Sequence, residues 1–122
     1  MMRCLALLFA LLVVGCGGKS RPQDEVDRAK AAVVAALDNW KANEPFAKLK
    51  AMSPPLDFNE ELRSTQALID YTVMKVDSTD PVVIRVTVAM KLKDKKGKAS
   101  EREAVYSVAL KNPIAVARDP YF

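Results

Sequence analysis

The sequence predicts an α+β domain: an N-terminal helix and a short second helix packed on a curved antiparallel sheet of about four strands. Three observations carry this. Apolar residues recur at three- and four-residue steps in the N-terminal half, they alternate in the C-terminal half, and short turn sequences separate the alternating segments. A chain of 122 residues, half of them apolar, fits a single domain.

The first helix is expected from Ser20 to Ala42. Ser20 can cap it, Pro22 suits its first turn, and Asp24, Glu25 and Asp27 favour the positive end of the helix dipole. Val26, Ala29, Val33, Leu37 and Trp40 form one stripe with Val34 at its margin, while Asp24, Arg28 and Lys41 take the wet face. Trp40 reads as a core plug rather than a ligand stacker. Asn43-Glu44-Pro45 reads as a fresh N-cap, starting a short helix that carries Phe46, Leu49 and Met52. Ser53-Pro54-Pro55 ends it. Leu56 to Ser64 is ambiguous, although Asn59, Glu60 and Glu61 can start one helical turn carrying Leu62.

Leu68 to Val76 is a strand with two partly apolar faces, joined to the next through Ser78-Thr79-Asp80-Pro81. Val82, Ile84, Val86, Val88, Met90 and Leu92 then alternate with Val83, Arg85, Thr87, Ala89, Lys91 and Lys93, which gives one dry face and one largely wet one. Asp94-Lys95-Lys96-Gly97 is a turn, with glycine where positive φ is required. The return strand puts Ala104, Tyr106, Val108 and Leu110 opposite Glu101, Glu103 and Ser107, and Asn112-Pro113 precedes a last strand, Ile114 to Arg118. Short connections imply antiparallel neighbours, and one wet sheet face asks for helices on the other.

Ahead of this domain lies a tripartite segment. Arg3 supplies a positive start, Cys4 to Val14 is an unbroken apolar run, and Val13-Val14-Gly15 brings small residues up to Cys16. The run is too short to span a hydrocarbon core of roughly 30 Å as a stable helix, so it reads as a cleavable signal. Val13-Val14-Gly15-Cys16, followed by Gly17, Gly18, Lys19 and Ser20, resembles the bacterial lipoprotein lipobox, with valine at position 13 where leucine is commoner. The resemblance implies cleavage before Cys16, a diacylglyceryl group on its thiol, and acylation of the new amine. Two or more acyl chains anchor stably where one anchors only marginally. Residues 1–15 are thus expected to be a signal peptide, 16–23 a lipidated tether and 24–122 the folded domain. A Cys4–Cys16 disulfide would lie partly in the discarded segment, and two cysteines without histidine make a poor metal site or catalytic thiolate.

The order of elements resembles the nuclear transport factor 2-like and cystatin-like α+β folds. "AALDNWKA" (35–42), "SPPL" (53–56), "NEEL" (59–62) and "LKDKKGK" (92–98) are similar to segments of small bacterial lipoproteins of unknown function. The wider superfamily contains acid/base enzymes that use Asp, Tyr or His in a cone-shaped pocket, but the chain has no histidine and no catalytic residue carries over.

Two groups are candidates for chemistry. Asp70-Tyr71 is an acid–phenol pair in an apolar strand, whose adjacent side chains are expected on opposite faces. Lys91, Lys93, Lys95, Lys96 and Lys98 form the densest charge cluster, suited to an anionic surface, though lysines also guard hairpins against aggregation. Removing Arg3 from 19 basic against 15 acidic side chains leaves a mildly basic domain. That is too small an excess to point to nucleic acid, and no exposed aromatics interleave the lysines. The expected protein is a non-enzymatic, cofactor-free envelope lipoprotein, held to the membrane through its lipid and binding an envelope protein or anionic polymer. Gly17 in place of aspartate after Cys16 points to the outer membrane. The alternative is a small-ligand carrier or degenerate enzyme using a gap between helix and sheet.

Overall fold

A computed structural model describes residues 22–121. Helix α1 is Gln23–Lys41 and α2 is Ala47–Lys50. The strands are β1 Leu56–Asn59, β2 Gln66–Asp77, β3 Ile84–Asp94, β4 Ala99–Ala109 and β5 Ile114–Arg118, with a 3-10 turn at Glu61–Ser64 between β1 and β2. They form one sheet in the order β1-β5-β4-β3-β2, and α1 lies across one face in contact with all five strands.

The α1 stripe is broader than valine, leucine and tryptophan alone suggest. Ala29, Ala32, Val33, Ala36, Leu37 and Trp40 are all buried, the alanines allowing close approach to the sheet, while Val26 and Val34 lie at the margins. The helix stops at a Schellman motif rather than running into a new N-cap. Asn43 takes φ 55°, its N–H donates to the Trp40 carbonyl, and the Glu44 N–H donates to the Asn39 carbonyl. Asn43 therefore closes α1 instead of opening α2. Asparagine suits both positions, which is why the sequence pattern misleads here. The Ser20 cap lies outside the described residues. In α2 only Leu49 is buried, and Phe46 and Met52 are exposed.

The sheet corrects two expectations. It has five strands, not four, and it is mixed: β1 pairs parallel with β5, Leu56 opposite Ile114 and Phe58 opposite Val116. The β2–β3, β3–β4 and β4–β5 pairs are antiparallel as expected. Strand β3 starts at Ile84, and Val82 is exposed in the preceding turn, where the Asp80 carboxylate accepts the N–H groups of Val82 and Val83 at 2.7 and 3.2 Å.

The two-faced character of β2 comes from two register shifts, between Leu68 and Asp70 and between Val73 and Lys75. Each extra residue flips the inward set. Leu68 is buried before the first shift, Tyr71 and Val73 pack on the core after it, and Val76 packs inward after the second. The inserted Ile69 and Met74 face out. Between α1 and the sheet the space is filled by side chains: Leu37, Val33 and Trp40 meet Ile84, Val86, Val88, Met90, Leu92, Tyr106, Val108 and Val116 in one cluster.

Candidate functional site

Cys16, the expected lipidation site, lies outside the described residues. The five hairpin lysines fall into three settings. Lys91 stands opposite Asp70 on β2 and Glu101 on β4, so it belongs to a row of alternating charge. Lys93 stands opposite Ala67 and Ala99 and has no acidic neighbour in register. Lys95, Lys96 and Lys98 belong to the turn. There the Asp94 carboxylate accepts the N–H groups of Lys96 and Lys98, each at 2.9 Å, and Gly97 has φ 86°. An L-residue at Gly97 would be strained by that φ, not by crowding, since the space around it is open.

Beneath the hairpin, where it meets the C-terminal end of α1, an open cleft of about 300 Å³ has Trp40 in its wall. Four basic side chains line it, Lys41, Arg63, Lys93 and Lys95, against one acid, Asp94. Arg63 comes from the 3-10 turn and is held firmly. Its Nη1 donates to Asn39 Oδ1 at 2.6 Å, its Nη2 donates to the Glu44 carbonyl, and its guanidinium lies 4.2 Å over the Phe46 ring. Both hydrogen-bond acceptors are neutral, and burial lowers the Arg63 pKa from its ordinary value. Lys41 pairs with the exposed Asp70 at 3.4 Å. Lys93 and Lys95 form no ion pair among the described residues. Sequence patterning finds the lysines but not Arg63 or Lys41, which reach the cleft only through the packing of the 3-10 turn against α1.

Asp70 and Tyr71 take opposite faces, as expected of adjacent strand residues: Asp70 stands opposite the exposed Lys91, and Tyr71 opposite the buried Met90. Because β2 is an edge strand, both still reach α1: Asp70 meets Lys41, and the Tyr71 hydroxyl donates to Asp38 Oδ1 at 2.6 Å. The Tyr71 N–H, then Lys41, hold the Asp70 carboxyl below its usual range. Partial burial, then the Asp38 carboxylate, push the Tyr71 phenol up. The pair pins helix to strand and gathers no other acid or base.

Two further polar clusters are structural. The Glu60 side chain is fully buried; its Oε2 accepts the Tyr106 hydroxyl at 2.6 Å, and its Oε1 accepts the Leu62 N–H at 3.0 Å and lies 3.3 Å from Arg118 Nη2. Burial and the Glu60 contact raise the Tyr106 pKa far above its ordinary value. At the chain end, Asp119 accepts from the Ser107 hydroxyl at 2.7 Å, the Tyr121 N–H at 3.0 Å and Arg85 Nε at 2.8 Å. These contacts, the Ser107 hydroxyl first, hold the Asp119 carboxyl below its usual range.

Because the Asp119 pKa is lower folded than unfolded, the stability it adds is complete above its unfolded value of about 3.9 and is lost as pH falls through the folded value. Asp70, Asp77 and Asp80 are shifted in the same direction. Thermal unfolding should therefore give a Tm that holds between about pH 7 and 5 and drops below about pH 4. The Asp119→Asn variant should start less stable at neutral pH and lose less on acidification. Equal acid sensitivity in the two proteins would count against this linkage.

No family model, curated protein or solved structure matches the chain. What the site can do follows from its own chemistry: a cleft with four cations against one acid can hold an anion, and its two hydroxyls, on Ser64 and Thr65, donate to the Glu61 and Leu62 carbonyls.

Proposed function

We propose that this protein is a membrane-anchored lipoprotein of the bacterial cell envelope, acylated on Cys16, whose domain is a non-catalytic binding module. The observation that carries the proposal is the ordered set Arg3, Cys4 to Val14, Val13-Val14-Gly15-Cys16 and a short Gly-Gly-Lys-Ser leash, placed directly ahead of helix α1. Acyl chains hold the module at the membrane, Gly17 favours the outer one, and the Lys-rich hairpin engages an anionic polymer or an acidic protein surface of the envelope. We read the domain as a small relative of the nuclear transport factor 2-like and cystatin-like folds, and a helix touching every strand of the sheet supports this.

A binding surface is favoured over an internal ligand pocket because the interior between α1 and the sheet is filled by packed side chains. It is favoured over catalysis because the buried acids, Glu60 and Asp119, are consumed by hydrogen bonds within the fold. Cells fed labelled palmitate should incorporate label into the wild-type protein and recover it with membranes. The Cys16→Ser variant should take up none and should accumulate uncleaved or leave the membrane fraction. Undiminished labelling of Cys16→Ser would refute the anchor.

A further inference from the structure

We propose that the cleft between the C-terminal end of α1 and the β3–β4 hairpin binds a phosphate group carried on a sugar or polyol. The proposal rests on the hairpin being a binding surface; binding in the cleft is independent of acylation at Cys16, and only the source of the phosphate is argued from that anchor.

Charge is the first argument. Lys41, Arg63, Lys93 and Lys95 come from three separate stretches of the chain, the end of α1, the 3-10 turn and the hairpin, onto one cleft with a single acid, Asp94. That acid is occupied: its Oδ1 accepts two N–H groups of its own turn. Among the described residues Lys93 and Lys95 have no ion pair, and Arg63 meets only neutral hydrogen-bond acceptors. Lys93, Lys95 and Arg63 against the one Asp94 carboxylate leave an excess of positive charge around the opening, which suits a dianion better than a single carboxylate, and guanidinium with ammonium is the usual side-chain chemistry for phosphate.

The second argument is positioning. Arg63 is fixed by Asn39, the Glu44 carbonyl and the Phe46 ring, so its remaining N–H groups are presented without further loss of side-chain freedom. Holding the end of α1 accounts for where Arg63 sits, since a cation is stabilising near a helix C-terminus. It does not account for Lys93 and Lys95, which approach the same opening from the far side. The third argument is size. A cleft of about 300 Å³ lies at the small end of ligand sites, enough for a phosphate and one ring but not for a protein segment.

Geometry also bears on the source of the phosphate. Helix α1 has 19 residues and so runs about 28 Å from Pro22, where the tether joins, to the cleft. The cleft opens at the far end from the attachment, which favours a phosphate presented away from the anchoring membrane over a headgroup within it.

Trp40 is the only tryptophan and lines the cleft, so its fluorescence reports occupancy. Full-length protein in neutral detergent would be titrated with glucose 6-phosphate, glucose and inorganic phosphate, and in parallel sedimented with phosphatidylglycerol vesicles. The expected result is a saturable response to glucose 6-phosphate, competed by inorganic phosphate and absent with glucose. Lys93→Glu/Lys95→Glu should weaken it at least about tenfold; both side chains are exposed, so the Tm should hardly change. Vesicle binding lost in the same variant would assign the phosphate to a headgroup and still support the cleft. No saturable response to any soluble phosphate together with vesicle binding that Lys93→Glu/Lys95→Glu leaves unchanged, or a saturable response that this variant leaves unchanged, would overturn it. Vesicle binding lost only in Lys96→Glu/Lys98→Glu would also overturn the cleft while leaving the hairpin as an anion-binding surface. Loss of every response, vesicles included, would remove both readings.

Discussion

Replacing Glu60 by alanine is expected to destabilise the domain by about 3–5 kcal/mol, the range for removing one member of a buried charged pair. Its side chain is fully buried and makes three contacts at once, with the Tyr106 hydroxyl, the Leu62 N–H and the Arg118 guanidinium. Truncation strands all three partners. The Tyr106 hydroxyl, in a side chain with no exposure, is left with only the Met90 sulfur at 3.6 Å, a weak acceptor. Arg118 loses its carboxylate while only partly exposed, and the 3-10 turn loses its N-terminal cap. At roughly 4–8 °C per kcal/mol for a domain of this size, the Tm should fall by more than about 12 °C. Tyr106→Phe should cost less, about 1–3 kcal/mol, because it strands one oxygen of a carboxylate that keeps its other contacts. The double variant should cost less than the sum of the two, since the partners share one interaction. Urea unfolding of the four proteins checks this. A loss below about 1 kcal/mol for Glu60→Ala would mean that the carboxylate is not the tie between β1, β4 and β5 that its contacts indicate.

That cluster shows where sequence reasoning reaches and where it stops. Glu60 is legible as the start of a helical turn, because acidic residues after asparagine suit a cap. Its partner Tyr106 lies 46 residues away and reads as one more inward residue of a strand. Strand β3 is the most legible element, because five alternating apolar residues admit only one inward face. Strand β1 is not legible. It has four residues, and its strand character depends on β5, the last strand in the chain, lying parallel beside it. Local pattern carries no trace of so distant a partner. In β2 the apolar residues at Ile69 and Met74 disguise two bulges as a strand buried on both sides.

The candidate site divides in the same way. Lys93 and Lys95 are visible as part of a lysine-rich turn, but so are Lys91 and Lys96, and sequence alone has no means of separating them. What distinguishes them is register: Lys91 sits between two acids, whereas Lys93 sits between two alanines. Arg63 is invisible, being an ordinary arginine in an ambiguous segment until Asn39 and Glu44 are found beside it. The buried Asn39 is the nearest thing to a missed signal, since a polar residue next to the stripe of an amphipathic helix requires a partner.

Trp40→Ala is the second large effect, at about 3–5 kcal/mol for loss of a buried aromatic. Trp40 is 3% exposed, its ring centroid lies 6.5 Å from that of Phe58, and its indole N–H donates to the Gln66 carbonyl at 3.0 Å. It therefore couples the last turn of α1 to β1 and to the first residue of β2. Alanine would remove the ring and strand the Gln66 carbonyl. The resulting space would border the cleft, so water can enter it, which favours the lower end of the range over that of a sealed cavity. Trp40→Phe separates packing from hydrogen bonding: it should keep most of the contact with Phe58 and lose about 1 kcal/mol, mainly through the missing N–H. Far-UV circular dichroism during urea unfolding is the suitable measurement, because the substitution removes the fluorophore. If Trp40→Ala were no more damaging than Trp40→Phe, the indole would be a lining of the cleft rather than a post of the core, and its burial would owe little to folding. The larger loss in the alanine variant is expected, because the side chain is only 3% exposed before any ligand arrives.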